Sequence, residues 1–276
     1  MDTVNKEWNI KVVFITFYKF SVTESRLRKA LITGASSGIG KDIARLLVSR
    51  GWQVILVARR ADRLMALKKE LGKNARCVRC DVSHEEECRK LYDVFKDKDI
   101  EMLVNCAGFG LCGEFTELSL DSELQMIDTN IKAVHILTKL FLRDFKRKNR
   151  GYILNVASIA GFFAGPLMAT YYATKNYVVS LTGAIYEELK RENSNVKISA
   201  LCPGPVDTEF NSVAHVHFSV EPLDSKTVAR EAVDGLLQGK LYIIPSAKMK
   251  CLKLAKRFLP DKTITHFCYT FQKKKQ

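Results

Sequence analysis

Short, unbroken apolar runs alternate along this chain with longer stretches in which apolar residues recur at helical spacing. The runs predict strands near 29–33, 53–57, 75–80, 101–105, 151–156, 196–202 and 241–244. The periodic stretches predict helices near 38–50, 61–72, 84–97, 121–147, 170–193 and 226–238. Strand and helix in alternation call for an α/β layered fold, with a parallel sheet covered on both faces. No internal repeat and no low-complexity linker divides the pattern. It implies one domain over residues 29–245, preceded by an extension, 1–28, and followed by a C-terminal segment, 246–276.

Two strand ends carry unusual chemistry. The first strand runs directly into Thr33-Gly34-Ala35-Ser36-Ser37-Gly38-Ile39-Gly40, and a helix with Ile43, Ala44, Leu46 and Leu47 follows, stopped by Gly51. Small residues between a strand and a helix let backbone approach a pyrophosphate, and the helix end offers unpaired amides and positive potential. The spacing is Gly-x-x-x-Gly-x-Gly, not the more familiar Gly-x-Gly-x-x-Gly. The second strand, Gln53 to Val57, ends in Ala58-Arg59-Arg60. An acid at that place would bind a ribose 2′-hydroxyl, whereas arginine suits a 2′-phosphate, so the residues favour NADP(H) over NAD(H). The plainer reading, in which both arginines only solvate the next helix, does not account for the missing acid.

A third constellation lies later in the chain. Tyr171 and Lys175 stand one helical turn apart, and Ser158 sits thirteen residues before the tyrosine, at the end of the apolar run Tyr152 to Ala157. A lysine held there is expected to lower the phenol's pKa by its charge, making Tyr171 a proton donor and acceptor near neutral pH. Tyrosine and lysine four apart on a helix are by themselves ordinarily a core residue beside a solvated one. The glycine turn upstream is what makes the pair informative.

Together these motifs resemble the short-chain dehydrogenase/reductase family in its single-domain form, over roughly residues 28 to 245. The resemblance rests on Thr33 to Gly40, Asp81-Val82, Asn105-Cys106-Ala107-Gly108, Asn130, Ser158, Tyr171 with Lys175, and Pro203-Gly204-Pro205-Val206-Asp207-Thr208. Cys106 departs from the pattern, since the family usually has a second asparagine there. The resemblance implies a Rossmann-type, doubly wound, parallel seven-stranded sheet and a fully assigned site. Tyr171 is then the general acid/base, and Lys175 holds the nicotinamide ribose and tunes the tyrosine. Ser158 orients the substrate oxygen, and Asn130 supports a water-linked proton relay. Gly34, Ser36, Ser37, Gly38, Ile39 and Gly40 form the phosphate turn, with Arg59 and Arg60 at the 2′-phosphate. Asp81 and Val82 meet adenine, and Asn105, Ala107 and Gly108 line the cofactor cleft. Pro203, Gly204, Val206 and Thr208 lie by the nicotinamide. Family members commonly pair through the helices expected at 121–147 and 170–193, so a homodimer or homotetramer is implied. Tyr172 is the rival proton donor, but it breaks the spacing to Lys175. An NADP-binding sensor without turnover is the non-enzymatic alternative, and its signature would be a broken Ser/Tyr/Lys set.

With 44 Lys and Arg against 30 Asp and Glu, the formal net charge is +14. The basic residues are spread over amphipathic helices rather than interleaved with aromatics, so nucleic acid is not the expected partner. Part of the charge suits an anionic cofactor. Of the eight cysteines only Cys77 and Cys80 are close, in an expected strand with no second ligand pair, which implies no metal site and fits a reducing cytoplasm.

The two ends are less defined. Val12 to Tyr18 is apolar but too short to span a membrane, and no small-residue cleavage site follows it, so no signal peptide is expected. An added edge strand, a surface anchor and a start codon set too early all stay open for residues 1–28; no methionine lies between Met1 and Met65. In the C-terminal segment, Cys251, Leu252, Leu254, Ala255, Phe258 and Leu259 share a helical face opposite Lys248, Lys250, Lys253, Lys256 and Arg257. Pro260 ends that helix, and Ile264, Phe267, Cys268 and Phe271 mark a second. Docking of this face on the subunit core or the substrate site is favoured over peripheral contact with an anionic membrane surface.

The residues flanking the active positions are apolar: Phe109, Leu111, Phe115, Phe162, Phe163, Pro166, Leu167 and Met168, then Phe210, Val213, Val216 and Phe218. Such surroundings suit a bulky apolar ketone or secondary alcohol, hydroxysteroids and bile acids first, then long-chain acyl or lipid ketones. A sugar would leave its hydroxyls unpaired. His215 and His217 are read as surface loop residues.

Overall fold

The computed structural model of the chain describes residues 27–210 and 221–273. The expectations for Val213, His215, Val216, His217 and Phe218, and for residues 1–26, lie outside them. Seven strands form one sheet in the order β3-β2-β1-β4-β5-β6-β7. They are β1 (Lys29–Thr33), β2 (Gln53–Ala58), β3 (Ala75–Arg79), β4 (Ile100–Asn105), β5 (Tyr152–Val156), β6 (Lys197–Leu201) and β7 (Tyr242–Ile243). All pairings are parallel.

The apolar runs are continuous because both sheet faces are buried, and side chains along each strand alternate between them. Ala30, Ile32, Val54, Leu56, Met102, Val104 and Leu154 face one layer, made by α1 (Gly38–Ser49), α2 (Ala61–Leu71) and, after the intervening helices, Ser225–Leu237. Leu31, Ile55, Val57, Leu103, Ile153 and Ile198 face the other, made by α3 (Glu85–Phe95), α5 (Ala133–Lys148) and α6 (Ala169–Arg191). This is the doubly wound arrangement that the alternation predicts.

One helix differs from expectation. The stretch expected as continuous over 121–147 is α4 (Leu120–Ile127), a π-helical turn (Asp128–Lys132), then α5. Apolar periodicity does not register the extra residue of such a turn. Its effect is to place Asn130 and Thr129 inward. Beyond the sheet, α7 is Ser225–Leu237, capped by Asp224, which accepts from the Thr227 amide at 3.1 Å. Two helices end the described chain, α8 (Ala247–Ala255) and α9 (Asp261–Lys273), with Pro260 between them. No helix among the described residues is long and apolar enough to cross a membrane.

The strand order reverses between β1 and β4, which leave the centre of the sheet in opposite directions. Ligands of such sheets sit beyond the strands' carboxyl ends at that switch. The glycine turn after β1, Cys106 to Phe109 after β4 and Ser158 after β5 all gather there.

Candidate active site

The glycine turn owes its shape to backbone crowding. Gly34 has φ +67°, and a Cβ on it would lie 2.7 Å from the Ala107 amide nitrogen. Only glycine lets β1's turn lie this close to the chain leaving β4. Gly40 does not face the cavity. A Cβ there would stand 2.6 Å from the Gly34 carbonyl, so its part is helix-to-turn packing rather than phosphate contact. Ser37 precedes α1 without capping it through its side chain, which leaves the first amides of the helix available to an anion. Arg60 lies across the same turn. Its Nη2 donates to Ser36 Oγ and Ser37 Oγ, each at 3.0 Å, and its Nη1 donates to Glu209 at 2.8 Å. Arg63 also pairs with Glu209. Arg59 is half-exposed beside Asp81, at 3.7 Å. Asp81 in turn accepts from the Ser83 amide and hydroxyl, at 3.0 and 2.8 Å.

Polar residues under the turn fix the chain after β4. Thr33 Oγ1 accepts from the amides of Cys106 and Ala107 at 3.0 and 3.2 Å. Asn105, expected to line the cofactor cleft, is instead buried: its Nδ2 donates to Thr138 and Asn155 at 3.0 and 2.9 Å. Strand alternation turns it away from the cleft, and it is Cys106, Ala107, Gly108 and Phe109 that line it. Asn130 is also fully buried and is not part of the cavity wall. Its Oδ1 accepts from the Phe109 amide at 3.1 Å, and its Nδ2 donates to Phe109 O at 2.9 Å and Thr174 at 3.1 Å. Asn130 clamps the β4 loop to α6. A Cβ added at Gly108 would meet Asn130 Oδ1 at 2.8 Å and Lys175 Nζ at 3.4 Å, so both groups press on that backbone.

Ser158, Tyr171 and Lys175 come together as the spacing implies, all lining one cavity. The Ser158 hydroxyl accepts from the Ala160 amide at 3.1 Å. Lys175 Nζ donates to Val156 O at 2.9 Å and stands 5.8 Å from the centre of the Tyr171 ring. The electrostatics correct the expectation of a phenol made acidic by its lysine. Burial pushes the Tyr171 phenol up to about 12, opposed only by its hydrogen bond with Ser158. Burial also brings the Lys175 ammonium down to about 8. Desolvation disfavours both charged forms at once, and at Tyr171 it outweighs what would favour the phenolate.

The cavity has a volume of about 920 Å³ and extends from the glycine turn past Tyr171 to the C-terminal helices. Every residue assigned to the cofactor from the sequence lines it except Gly40 and Asn105. Of the apolar flank, Phe109, Phe163, Met168 and Phe210 line it. Phe115 is instead 66% exposed, and Phe162 packs edge-on against Tyr242. Leu111 packs beside Tyr171 in a small apolar cluster without reaching the cavity wall, and neither Pro166 nor Leu167 reaches it. The ring of Phe210 lies 5.4 Å from that of Tyr171.

Helices α8 and α9 line this cavity, but the face expected to dock does so only in part. Leu252, Ala255 and Leu259 reach the wall, Leu254 and Phe258 stay exposed, and Lys253 and Lys256, expected on the polar face, pack inward. Met249, Leu252, Ile264, Phe267, Phe271 and Gln272 line it. Lys253 sits 4.4 Å above the Phe162 ring and 4.1 Å above that of Tyr242, Lys256 donates to Phe162 O, and Gln272 donates to the Tyr172 hydroxyl at 2.5 Å. Glu209 and Gln272 were not foreseen as part of the site, and Tyr172, weighed only as a rival proton donor, lines it beside Gln272. Tyr172 and Gln272 stand one hundred residues apart, and no local pattern joins them.

The donor set fits a dinucleotide phosphate: uncapped helix amides, two serine hydroxyls and an arginine at one end of a long cavity. Cys77 and Cys80 turn to separate carbonyls, those of Leu64 at 3.1 Å and Glu87 at 3.9 Å.

Comparison with known proteins agrees. The short chain dehydrogenase family profile matches residues 28–216. An uncharacterized oxidoreductase of Staphylococcus saprophyticus is 34% identical over 223 residues, covering 79% of this chain and 94% of the relative. Among solved structures, a short chain dehydrogenase/reductase from Burkholderia phymatum in complex with NAD has a TM-score of 0.77 at 25% identity, covering 84% of this chain and 93% of its own. A short-chain dehydrogenase from Sphingobium yanoikuyae in complex with NADPH has a TM-score of 0.75 at 28% identity, covering 84% and 94%. With glycine turn, serine, tyrosine and lysine on one cavity and this match along most of its length, the chain belongs to the short-chain dehydrogenase family, as an NAD(P)-dependent oxidoreductase acting on CH–OH groups.

Proposed function

We propose that the protein uses NADP(H) to interconvert a secondary alcohol and a ketone on a bulky apolar substrate, a hydroxysteroid or bile acid before a long-chain acyl ketone. The observation that carries this reading is the contrast within one cavity. Its inner end holds Ser158, Tyr171 and Lys175, while its outer wall is Met168, Phe210, Leu252, Ile264 and Phe267. Such a pocket holds a large apolar body by desolvation and fixes it by a few polar contacts.

The nicotinamide, when bound, supplies or accepts the hydride. Tyr171 gives its phenolic proton to the carbonyl oxygen, and Ser158 hydrogen-bonds the same oxygen and aligns it. A phenol held neutral up to about 12 is in its proton-donor form throughout the physiological range. Lys175, anchored on Val156 O, keeps an amine next to the phenol, and Asn130 holds the Phe109 backbone and α6 in register. Arg60, already on Ser36 and Ser37, and Arg59 beside it support the 2′-phosphate assignment.

The experiment is a ketone panel of steroid, bile-acid and long-chain types, with sugars as the polar arm, followed by the loss of nicotinamide absorbance with NADPH and with NADH. Oxidation of NADPH with the apolar ketones is expected. Turnover of sugars alone, or equal use of NADH, overturns the substrate or the cofactor assignment respectively.

A second reading has its own observation. The outer side of α8 and of the turn that follows it exposes Leu254 and Phe258 at 60 and 77% of their surface, among Lys248, Lys250 and Arg257. An apolar face ringed by lysines suits the surface of an anionic bilayer, from which a lipid ketone would reach the cavity. Flotation with phosphatidylserine vesicles, which Phe258→Ser should weaken, tests it against a cytoplasmic protein without membrane contact. The homodimer or homotetramer is proposed to pack through α4, α5 and α6, where Leu120 and Leu124 are exposed, and light scattering of the intact protein tests it.

A further inference from the structure

The second arginine after β2 is held by a carboxylate that comes from across the sheet. Glu209 follows β6, and three strands, β1, β4 and β5, lie between β6 and β2. Its Oε2 nevertheless accepts from Arg60 Nη1 at 2.8 Å, and its Oε1 accepts from Arg63 Nη1. At roughly 5 Å per strand, the strand ends that this contact joins lie on the order of 20 Å apart. The contact therefore spans the crevice where strand order reverses, and Glu209, Arg60, Ser36 and Ser37 all line the cavity there. Thr208, the neighbour of Glu209, rests on the start of α1: a Cβ added at Gly38 would meet Thr208 Cγ2 at 2.9 Å. The acid that the end of β2 lacks is thus supplied from the loop after β6.

Counting donors shows what this does to Arg60. A guanidinium has five N–H groups, and Arg60 commits four of them. Its Nε donates to Ser36 Oγ at 3.3 Å, its Nη2 to Ser36 and Ser37, and its Nη1 to Glu209. Arginine grips a phosphate through two parallel N–H bonds, so a 2′-phosphate can be gripped only when one of these partners leaves. The serine hydroxyls can turn and donate to the same phosphate. The Glu209 carboxylate can only accept, and its charge repels the phosphate. The hydrogen bond from Arg63, then that from Arg60, hold the Glu209 carboxyl below the usual carboxylate range, so it is an anion at neutral pH. Arg63 keeps Oε1 paired once Arg60 lets go, so the exchange strands no bare charge. The Arg60 and Glu209 side chains are 42 and 40% exposed, which leaves the pair open to a solute.

We infer that Glu209 is a specificity-determining residue, an internal rival of the 2′-phosphate: its carboxylate occupies Arg60, and NADP(H), but not NAD(H), must displace it. The inference deepens the proposed function and rests on it for the place of the 2′-phosphate. It makes the preference for NADPH smaller than Arg59 and Arg60 would give without Glu209.

The test titrates the full chain with NADPH and with NADH, read by the fluorescence of the bound reduced nicotinamide, with melting temperature as the check on folding. Glu209→Gln keeps the size and removes the charge. It should bind NADPH about fivefold more tightly, the upper range for an ion pair between half-exposed groups, and NADH within about twofold of wild type. Adenosine 2′,5′-bisphosphate and 5′-AMP, which carry no nicotinamide, should divide the same way in thermal shift. In an Arg60→Met background, Glu209→Gln should leave the ratio of the two affinities within about twofold, because the rivalry is over Arg60. Equal gains for both dinucleotides overturn the inference, since Glu209 then only repels polyphosphate. An unchanged or lower NADPH affinity also overturns it, because Glu209 is then a brace for Arg60, and so does a gain that survives Arg60→Met. A wild type that binds NADH as well as NADPH would break the proposed cofactor preference, while a Glu209→Gln gain confined to NADPH would leave this contact standing.

Discussion

The two ends of the cavity are built by different means. The dinucleotide end is backbone geometry on a rigid sheet: Gly34 against Ala107, Thr33 Oγ1 under two amides, α1 starting at the cleft. The substrate end is side chains from elements far apart in the chain, closed by two helices whose outer residues remain exposed. An enzyme family can keep the first while changing the second, since loops and added helices vary at little cost to a packed sheet.

The largest expected effect lies at the meeting point of the two ends. Tyr171→Phe should lower kcat by about a thousandfold, the scale of a lost general acid, while dinucleotide affinity stays within about twofold. Near-normal turnover would move the proton donor elsewhere. Next is the backbone of the first end. Gly34→Ala forces a side chain into φ +67° and onto the Ala107 amide, and should destabilise the fold by about 3 kcal/mol with loss of dinucleotide binding, read by urea melts and fluorescence titration. A variant as stable as wild type would mean that this close approach can relax.

A smaller effect separates function from stability. Lys175 is 5% exposed, and its ammonium is brought down from 10.5 to about 8 in the folded protein. The unfolded chain binds this proton more tightly, so stability rises with pH between about 8 and 10.5, and is lost as pH falls through 8. At pH 7 the buried charge then costs about 3 kcal/mol, since each tenfold change in proton affinity is worth about 1.4 kcal/mol. Lys175→Met should be more stable than wild type at pH 7 by about 2 kcal/mol, part of the gain being offset by the unpaired Val156 carbonyl. The advantage should disappear near pH 10.5. Tyr171 acts in the opposite sense, losing stability for the fold above about pH 10, but equally in both proteins. Denaturant melts at the two pH values decide, and a gap that does not narrow would deny the buried charge.

The smallest effect concerns cofactor choice. Arg59→Asp should reduce the preference for NADPH over NADH by about tenfold, one charged hydrogen bond's worth at a half-exposed site. Unchanged preference would leave the 2′-phosphate to Arg60 alone, whose guanidinium already spans Ser36 and Ser37.

Much of the first end was legible in advance. A strand that runs into small residues and then a helix announces its turn locally, and Tyr171, Lys175 and Ser158 are linked by one helix and one strand end. Asn105 was misplaced because its motif gives the loop but not which residue of it turns inward; the strand's pleat decides that. The π-turn at Asp128–Lys132 was not visible because a single inserted residue leaves the apolar spacing almost intact. The phenol's pKa was misjudged because adjacency on a helix reports distance to a charge and says nothing of the water removed from both groups.

Local order, the alternation of elements, and the chemistry of the phosphate turn and of the Ser158, Tyr171 and Lys175 set were all contained in the linear chain. They depend on neighbours a few residues apart. The folded arrangement alone decided that Gln272 meets Tyr172, that Glu209 bridges Arg60 and Arg63, and that residues of α8 and α9 line the cavity. Those contacts join residues up to a hundred or more positions apart, and only the packing of the whole sheet and its helices brings them within reach.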